Sequence, residues 1–400
     1  EISECLVGSE MCIRDSNYKY PCTRNINIDG FGTYLEKEIG EPRRNLRLFA
    51  NEFGNLISAQ GDNIADHLVL VNSGSSANLV AALTIAEKCK KANKPLTAVA
   101  SAFTFPTTVS SLLLAGFKIK LIDVDKSGFN MSIDRLTAEK EIPSLVVVTH
   151  FLGFPADMEA LKKYQSLTKC FILQDACETL DTYLGNKPLY KYGDIITWSF
   201  YHPHHLSSYG GGAIFSISGE DYSLLDSIAH WGRACKCHID EKLCFVPSGP
   251  AHQFTYENIS VNIEMSELNA CFGRWQLKNW KEIENQRQRN YQTLYDIVSA
   301  NTNLHVYPFH NARHDSPFVF PVFCKNKSVN DIYEFLKKKN IEIRTLMGGA
   351  TCQQPAFTNK ISYDNCSNAI YMSQHAFFVG CHHTLSDDDV KYIGNSLLCL

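Results

Sequence analysis

The sequence has no apolar run long enough to cross a bilayer, and its mean hydropathy is −0.17, so no membrane-embedded segment is expected. It also lacks a basic excess: 38 Lys and Arg stand against 42 Asp and Glu, a formal net charge of −4. Nucleic acid is thereby excluded as the main partner, because neutralising phosphates needs clustered positive charge. The composition of a disordered chain is missing too, with 44% hydrophobic and 20% charged residues. There is no internal repeat and no low-complexity tract. No signal-like stretch precedes the cysteines, so a cytoplasmic chain is expected and a secreted disulfide scaffold is not. What is present in excess is cysteine, 15 in 400 residues. Spread over so long a chain, these thiols leave metal binding, redox chemistry or plain burial open.

Four hundred residues predict two domains. Residues 1–16 show neither helix nor strand periodicity and resemble translated sequencing-adapter read-through. They are expected to be a non-native leader, and Cys5 and Cys12 are given no role. Residues 17–44 read as an N-terminal arm, 45–300 as a large domain and 301–400 as a smaller C-terminal α/β domain. Within the large domain, apolar runs such as His67–Val71, Lys118–Val124, Leu145–Thr149 and Cys170–Gln174 alternate with helical stretches. That alternation implies right-handed crossovers and a mostly parallel sheet. Residues 266–300 form the longest helical pattern. After Pro308 a strand (Phe318–Phe323), a helix (Val329–Lys338) and a strand (Ile341–Arg344) are expected.

Three local features carry chemistry. Asn72-Ser73-Gly74-Ser75-Ser76 lies between a strand and a helix, where Gly74 lets backbone approach closely and the helix start presents free N–H groups to a phosphate. Serines there also serve as ordinary helix caps. Gln174-Asp175-Ala176-Cys177-Glu178 ends an apolar strand, at the sheet edge where α/β folds bind ligands. Thr197–Gly212 places three histidines in four positions ahead of three glycines.

In this order and spacing the chain resembles the sugar aminotransferase/dehydratase family of fold-type I pyridoxal-phosphate enzymes over roughly residues 45–390. The resemblance is carried by Asn72–Asn78, Thr104–Thr108, Thr149–Gly153, Asp175, Ser199–His204 and Met265–Gln276. It implies a large cofactor-binding domain at 45–300 and the smaller domain at 301–400. It also implies that Asp175 pairs with the ring nitrogen, Phe105 stacks on the ring, and Gly74, Ser75, Ser76 and Ser199 hold the phosphate. Asn262 would reach that phosphate from the other subunit of a homodimer, and Glu178 would lie on the O3′ side. Transaminating members carry Lys five residues after the serine equivalent to Ser199, and here that place is His204. Imidazole cannot form the Schiff base that a lysine amine forms, but it moves protons near neutral pH. The implied cofactor is pyridoxamine 5′-phosphate, interconverting with pyridoxal 5′-phosphate, with His204 as the base at C4′. A packing histidine in a non-catalytic fold is the alternative. His205 and Arg344 are expected on the substrate side.

Cys235, Cys237 and Cys244 form C-x-C-x6-C on a loop at about 230–250, and Cys177 lies 58 positions before Cys235. The pattern resembles the [2Fe–2S] site of nucleotide-sugar 3-dehydrases of the CDP-4-keto-6-deoxyglucose type. By that resemblance Cys177, Cys235, Cys237 and Cys244 ligate the cluster. Zinc suits four thiolates equally well. Cys177 is two residues from Asp175, so along an extended strand the two would face the same way, roughly 7 Å apart at Cα. Such a cluster would lie near the cofactor, as electron relay requires.

The resemblance therefore implies a 3-dehydrase acting on a nucleotide-linked 4-keto-6-deoxyhexose. Electrons would come through the cluster from an NAD(P)H-dependent flavin/iron–sulfur reductase. The alternatives are a cluster-free, glutamate-dependent dehydratase, a non-catalytic scaffold or sensor, and a zinc-bearing interaction protein.

Overall fold

Short runs of Val, Ile and Leu become strands whose two faces are both covered, and this decides the architecture. A computed structural model describes residues 18–400 except 25, 27, 60–61, 127, 238–241, 243 and 309–314. The expected leader at 1–16 lies outside the described residues, as does residue 17 of the arm. In chain order the first elements are α1 (Phe31–Glu38), α2 (Arg44–Ile57), β1 (Leu68–Val71), α3 (Gly74–Lys91), β2 (Thr97–Ser101), α4 (Pro106–Leu114) and β3 (Lys118–Ile122). There follow α5 (Ile133–Thr137), β4 (Leu145–Thr149), α6 (Met158–Thr168), β5 (Phe171–Asp175), the small hairpin β6 (Tyr183–Leu184) and β7 (Lys187–Pro188), β8 (Ile195–Ser199) and β9 (Gly212–Ser216). Helix α7 (Gly219–Ala229) precedes a long excursion that ends at α8 (Glu267–Leu277) and α9 (Trp280–Val298).

The large sheet has eight strands in the order β1-β9-β8-β5-β4-β2-β3-β13, where β13 is Ser362–Tyr363. Its run from β8 to β13 is parallel, and β9 alone opposes its neighbours. Period-two geometry divides the strand side chains between two cores. Val69, Val71, Val147 and Leu173 join the apolar cluster on one face, while Leu68, Leu70, Val146, Val148 and Ile172 join the cluster on the other. This is a mixed, mostly parallel large α/β sheet, as the resemblance implies.

A second, four-stranded sheet runs β10 (Leu304–Val306), β11 (Phe320–Cys324), β14 (Ala376–Val379), β12 (Arg344–Thr345), antiparallel throughout. Its helices are α10 (Val329–Lys337), α11 (Ser367–His375) and α12 (Asp387–Leu398), and α9 packs along α12. The helical stretch expected at 266–300 is two helices, broken at Lys278-Asn279. Cys89, Cys170, Cys271 and Cys324 are buried. Among the described residues, no helix is long and apolar enough to cross a membrane.

Candidate active site and a thiol–imidazole cluster

Parallel strands deliver their C-terminal ends to one edge, and the loops leaving β1, β2, β5 and β8 converge there. They enclose a cavity of about 920 Å³ whose lining includes Gly74, Ser75, Phe105, Asp175, Ser199 and His204. Phe105, the residue just before α4, is 46% exposed, an unusual exposure for a large ring at a sheet edge. Its face is available to stack on a planar ligand.

Asp175 is fixed by its neighbours. Its Oδ2 accepts from Asn78 Nδ2 at 2.8 Å and from Thr108 Oγ1 at 2.6 Å, and its Oδ1 accepts from the Cys177 amide at 3.1 Å. Asn78 is itself held, since Thr197 Oγ1 donates to Asn78 Oδ1 at 2.6 Å. A carboxylate locked at the floor of a cavity is an orienting partner for a ring nitrogen.

At the other end, Ser73 caps α3 by accepting from the Ser76 amide at 3.1 Å. The helix start then faces the cavity. A Cβ on Gly74 would come within 2.5 Å of Ser199 Cβ and 2.8 Å of Cys177 Sγ, so only glycine leaves this cradle open. Gly212 acts similarly, because a Cβ there would meet Ser73 O at 2.6 Å and push β9 off the phosphate loop. Ser75 lines the cavity and its hydroxyl meets Thr107 Oγ1 at 2.8 Å. Ser76, expected beside it, is turned away: its hydroxyl donates to Asn72 Oδ1 at 2.6 Å and it is absent from the lining.

His204 projects into the cavity, with its ring tilted against Phe318 at a centroid distance of 5.2 Å. Its Nδ1 is shielded from solvent and has no hydrogen-bond partner within the protein. Burial, reinforced by the Arg287 guanidinium, lowers its pKa to about 3, so the ring is neutral at neutral pH. Glu178 also lines the cavity. Its Oε2 accepts from the Leu152 amide at 2.9 Å, yet burial raises its pKa to about 8, and Asp175 adds to the rise. Arg344 reaches the rim, with Nε bonded to Glu342 Oε1 at 2.8 Å.

His205, expected on the substrate side, does not line the cavity. It is 2% exposed and its Nε2 bonds to the Ser316 carbonyl at 2.9 Å, away from the cavity. Asn262 is exposed on the same chain and does not line its cavity.

The structure places the four expected cysteines in two environments. Strand β5 stops at Asp175, and Cys177 lies in the turn beyond it, where strand alternation no longer sets direction. Its sulfur rests against Gly74 and lines the cavity, and its thiol pKa is pushed well up by burial and then by Asp175. The other three sulfurs gather elsewhere. Cys235, Cys237 and Cys244 converge with His252, their ligand atoms all within 4.8 Å of one another, and Cys177 is not among them. Of the four cysteines that the resemblance implied for a [2Fe–2S] cluster, the structure gathers three with His252, and Cys177 lies in the turn after β5 beside Gly74. His252, which no ligand spacing in the sequence singles out, joins these thiols through the path of the loop. Sequence reading passed over Asn78, Thr108 and Thr197 as the residues that hold Asp175.

Residues 43–398 match the DegT/DnrJ/EryC1/StrS aminotransferase family. The chain belongs to that family. It is 29% identical over 348 residues to the lipopolysaccharide biosynthesis protein RfbH of Salmonella typhimurium, spanning 82% of this chain and 79% of that one. With the dTDP-4-dehydro-2,6-dideoxy-D-glucose 3-dehydratase of Saccharopolyspora spinosa, identity is 28% over 381 residues, 88% of this chain and 79% of the other. The solved structure of the Escherichia coli GDP-4-keto-6-deoxy-D-mannose-3-dehydratase with bound hydrated PLP superposes with a TM-score of 0.84 at 22% identity, covering 95% of this chain and 99% of that one. That likeness is one of fold.

The residues fit the family's cofactor. The open cradle at Gly74, the capped helix start, the held carboxylate of Asp175 and the unpartnered Nδ1 of His204 all face one cavity.

Proposed function

We propose that the chain removes the C3 hydroxyl from a nucleotide-linked 4-keto-6-deoxyhexose with pyridoxamine phosphate as cofactor. His204 carries the reading. It stands in the cavity where transaminating relatives place lysine, and an imidazole there can move a proton but cannot hold the cofactor covalently. The 3-dehydratase names of the Saccharopolyspora and Escherichia coli proteins support the same substrate class.

Bound in the cavity, the cofactor would supply a primary amine for a ketone and a ring that accepts electrons. Asp175 would keep a proton on the ring nitrogen. The N-terminus of α3, with Ser75 and Ser199, would hold the phosphate, and Phe105 would cover one ring face. His204, neutral at working pH, would take the proton at C4′. Arg344 at the rim meets the substrate. Asn262, exposed on its own chain, would complete the phosphate site of a partner subunit in a homodimer.

The reductive completion expected from a cluster and a separate reductase requires Cys177 to join the loop thiols. With His252 in that company instead, we read completion as cluster-free: glutamate would supply the amine and the two electrons and leave as 2-oxoglutarate, and hydrolysis would release ammonia with the deoxygenated ketone.

The test is incubation of the protein with pyridoxamine phosphate, glutamate and, in turn, the CDP-, dTDP- and GDP-linked 4-keto-6-deoxyhexoses. Mass spectrometry should show a sugar that has lost its C3 oxygen and kept its C4 ketone. A 4-amino sugar as the product would overturn the reading.

A further inference from the structure

We propose that Cys352 and Cys366 form a redox-active thiol pair, which a low-molecular-weight disulfide converts to a protein disulfide that ties the rim of the cavity to the start of α11. Two neighbouring strand ends bring the pair together. The Thr351 amide donates to the Ala102 carbonyl at 2.9 Å, one residue past β2. The Asn368 and Ala369 amides donate to the Asp123 carboxylate at 3.0 and 2.9 Å, one residue past β3. Strands β2 and β3 are paired in parallel, so the two segments are pinned side by side at one sheet edge. The sulfurs meet there, each thiol hydrogen-bonded to the other. Cys366 belongs to the apolar core on that face, and Cys352 packs against the same core.

The two thiols are unequal in the way that disulfide exchange uses. Cys352 is partly exposed, whereas Cys366 is buried. The hydrogen bond from Cys366 lowers the Cys352 pKa, and the same bond, with burial, raises that of Cys366. Cys352 is therefore the thiolate that a small disulfide can reach. Its sulfur attacks one sulfur of the small disulfide, forming a mixed disulfide and releasing one small thiolate, which takes a proton from water. Cys366 then gives up its proton and attacks the Cys352 sulfur, expelling the second small thiol. Two protein thiols are oxidised by two electrons, and one small disulfide is reduced to two thiols.

The rim moves with Cys352. Thr345, Met347, Gly348 and Gln354 line the cavity. Met347, Gly348 and Gly349 are successive left-handed residues, with φ of 48°, 82° and 90°, and they make a sharp turn. The Gln354 side chain clasps that turn by donating to the Gly348 carbonyl at 2.6 Å. Cys352 lies between the turn and its clasp, so a bond to Cys366 is felt by the lining. A disulfide brings its sulfurs to about 2.05 Å, closer than thiols in hydrogen-bonding contact. This one would close a loop of 15 residues and hold the rim against the start of α11.

The test reads the bond itself and not sugar turnover, so its failure leaves the dehydratase reading untouched. The full chain, purified anaerobically, is treated with glutathione disulfide, blocked with iodoacetamide and digested with trypsin. Cleavage after Arg344, Lys360 and Lys391 puts the two cysteines in separate peptides, 345–360 and 361–391, which the disulfide should join. Dithiothreitol should part them. Cys366→Ser should lose the link and carry one glutathione on Cys352, and Cys352→Ser should leave Cys366 unmodified. The second peptide also holds Cys381, so Cys381→Ser should keep the link. Amide exchange across residues 345–354 should slow by about tenfold or more in the oxidised chain. No link in the native chain, or a link that survives Cys366→Ser, would overturn the proposal. Unchanged exchange in the linked chain would overturn the tether. If either serine variant fails to fold, fragmentation of the linked peptides from the unsubstituted chain still assigns the bond.

Discussion

The side-chain amide of Asn78 donates to Asp175 Oδ2 at 2.8 Å across 97 residues of sequence, tying helix α3 to the end of strand β5. The helix that presents its N-terminus to the phosphate thus also sets the direction of the ring acid. Because Thr197 fixes Asn78 in turn, Asn78→Ala removes one partner of the carboxylate and leaves the buried Thr197 hydroxyl only its 3.2 Å bond to the Gln174 carbonyl. The variant should fold and bind cofactor, with dehydration slowed by about 10–100-fold, as for other residues that orient a reacting group through one contact. Cofactor titration by absorbance, beside the rate, checks this. Unchanged kinetics would mean that Thr108 and the Cys177 amide suffice to orient Asp175.

His204 is expected to be neutral well below the ordinary histidine range. In cofactor-free protein its ring resonances should not move between pH 8 and pH 5, because burial and Arg287 lower its pKa to about 3. A titration near pH 6.5 by NMR would contradict the burial seen here. His204→Asn should retain cofactor and lose about 10²–10⁴-fold in rate, the usual worth of a positioned base. His204→Lys should instead become covalently linked to pyridoxal phosphate, detected as an added mass after borohydride reduction.

How much of this was legible beforehand depended on whether the signal was local. The runs at Leu145–Thr149 and Phe171–Asp175 announce strands because β-branched residues buried on both faces have few other uses. Asp175 and His204 were readable from strand ends and motif spacing. Cys177 is grouped with the loop thiols by the spacing resemblance alone, and the alternation that sets it beside Asp175 ends with strand β5 at Asp175 itself. Ser75 and Ser76 are adjacent hydroxyls, and which one faces the cavity is decided by the cap geometry at Ser73. His252 joins its thiols only through the path of a loop, which no periodicity encodes. The antiparallel order of the second sheet likewise depends on pairings between distant segments.

Gly74→Ala should discriminate against cofactor more than against folding. Its Cβ would lie 2.5 Å from Ser199 Cβ and 2.8 Å from Cys177 Sγ, so one of the two must move. Overpacking of this kind costs about 1–3 kcal/mol, and the displaced Ser199 is one of the groups assigned to the phosphate. Weaker pyridoxamine phosphate binding with a modest fall in Tm is the expected result. Adding Cys177→Ala should restore part of the binding by opening room on that side.

Dimerisation should depend on the apolar stretch beside Asn262. Ile259 and Val261 are 104% and 61% exposed, more than an isolated subunit in water favours. Ile259→Asp with Val261→Asp should give monomer by sedimentation and weaken cofactor binding, because each site would lose Asn262 of the other subunit. Monomers that keep full cofactor affinity would show that Asn262 does not reach the phosphate.

Glu178 makes stability depend on pH with a sign opposite to that of a paired carboxylate. Burial raises its pKa from 4.5 in the unfolded reference to about 8, with Asp175 adding to the shift. Between these values the native state binds the extra proton, so this contribution is fully present below about pH 4.5 and is lost as pH rises toward 8. The loss is on the order of a few kcal/mol for a shift of this size in a group only 3% exposed. Glu178→Gln keeps an oxygen that can accept from the Leu152 amide but removes the titration. In cofactor-free protein the variant should match the parent near pH 5 and exceed it in Tm by a growing margin up to pH 9. If the margin instead shrinks as pH rises, Glu178 is ionised in the cavity at neutral pH and faces a positive group that burial alone does not supply.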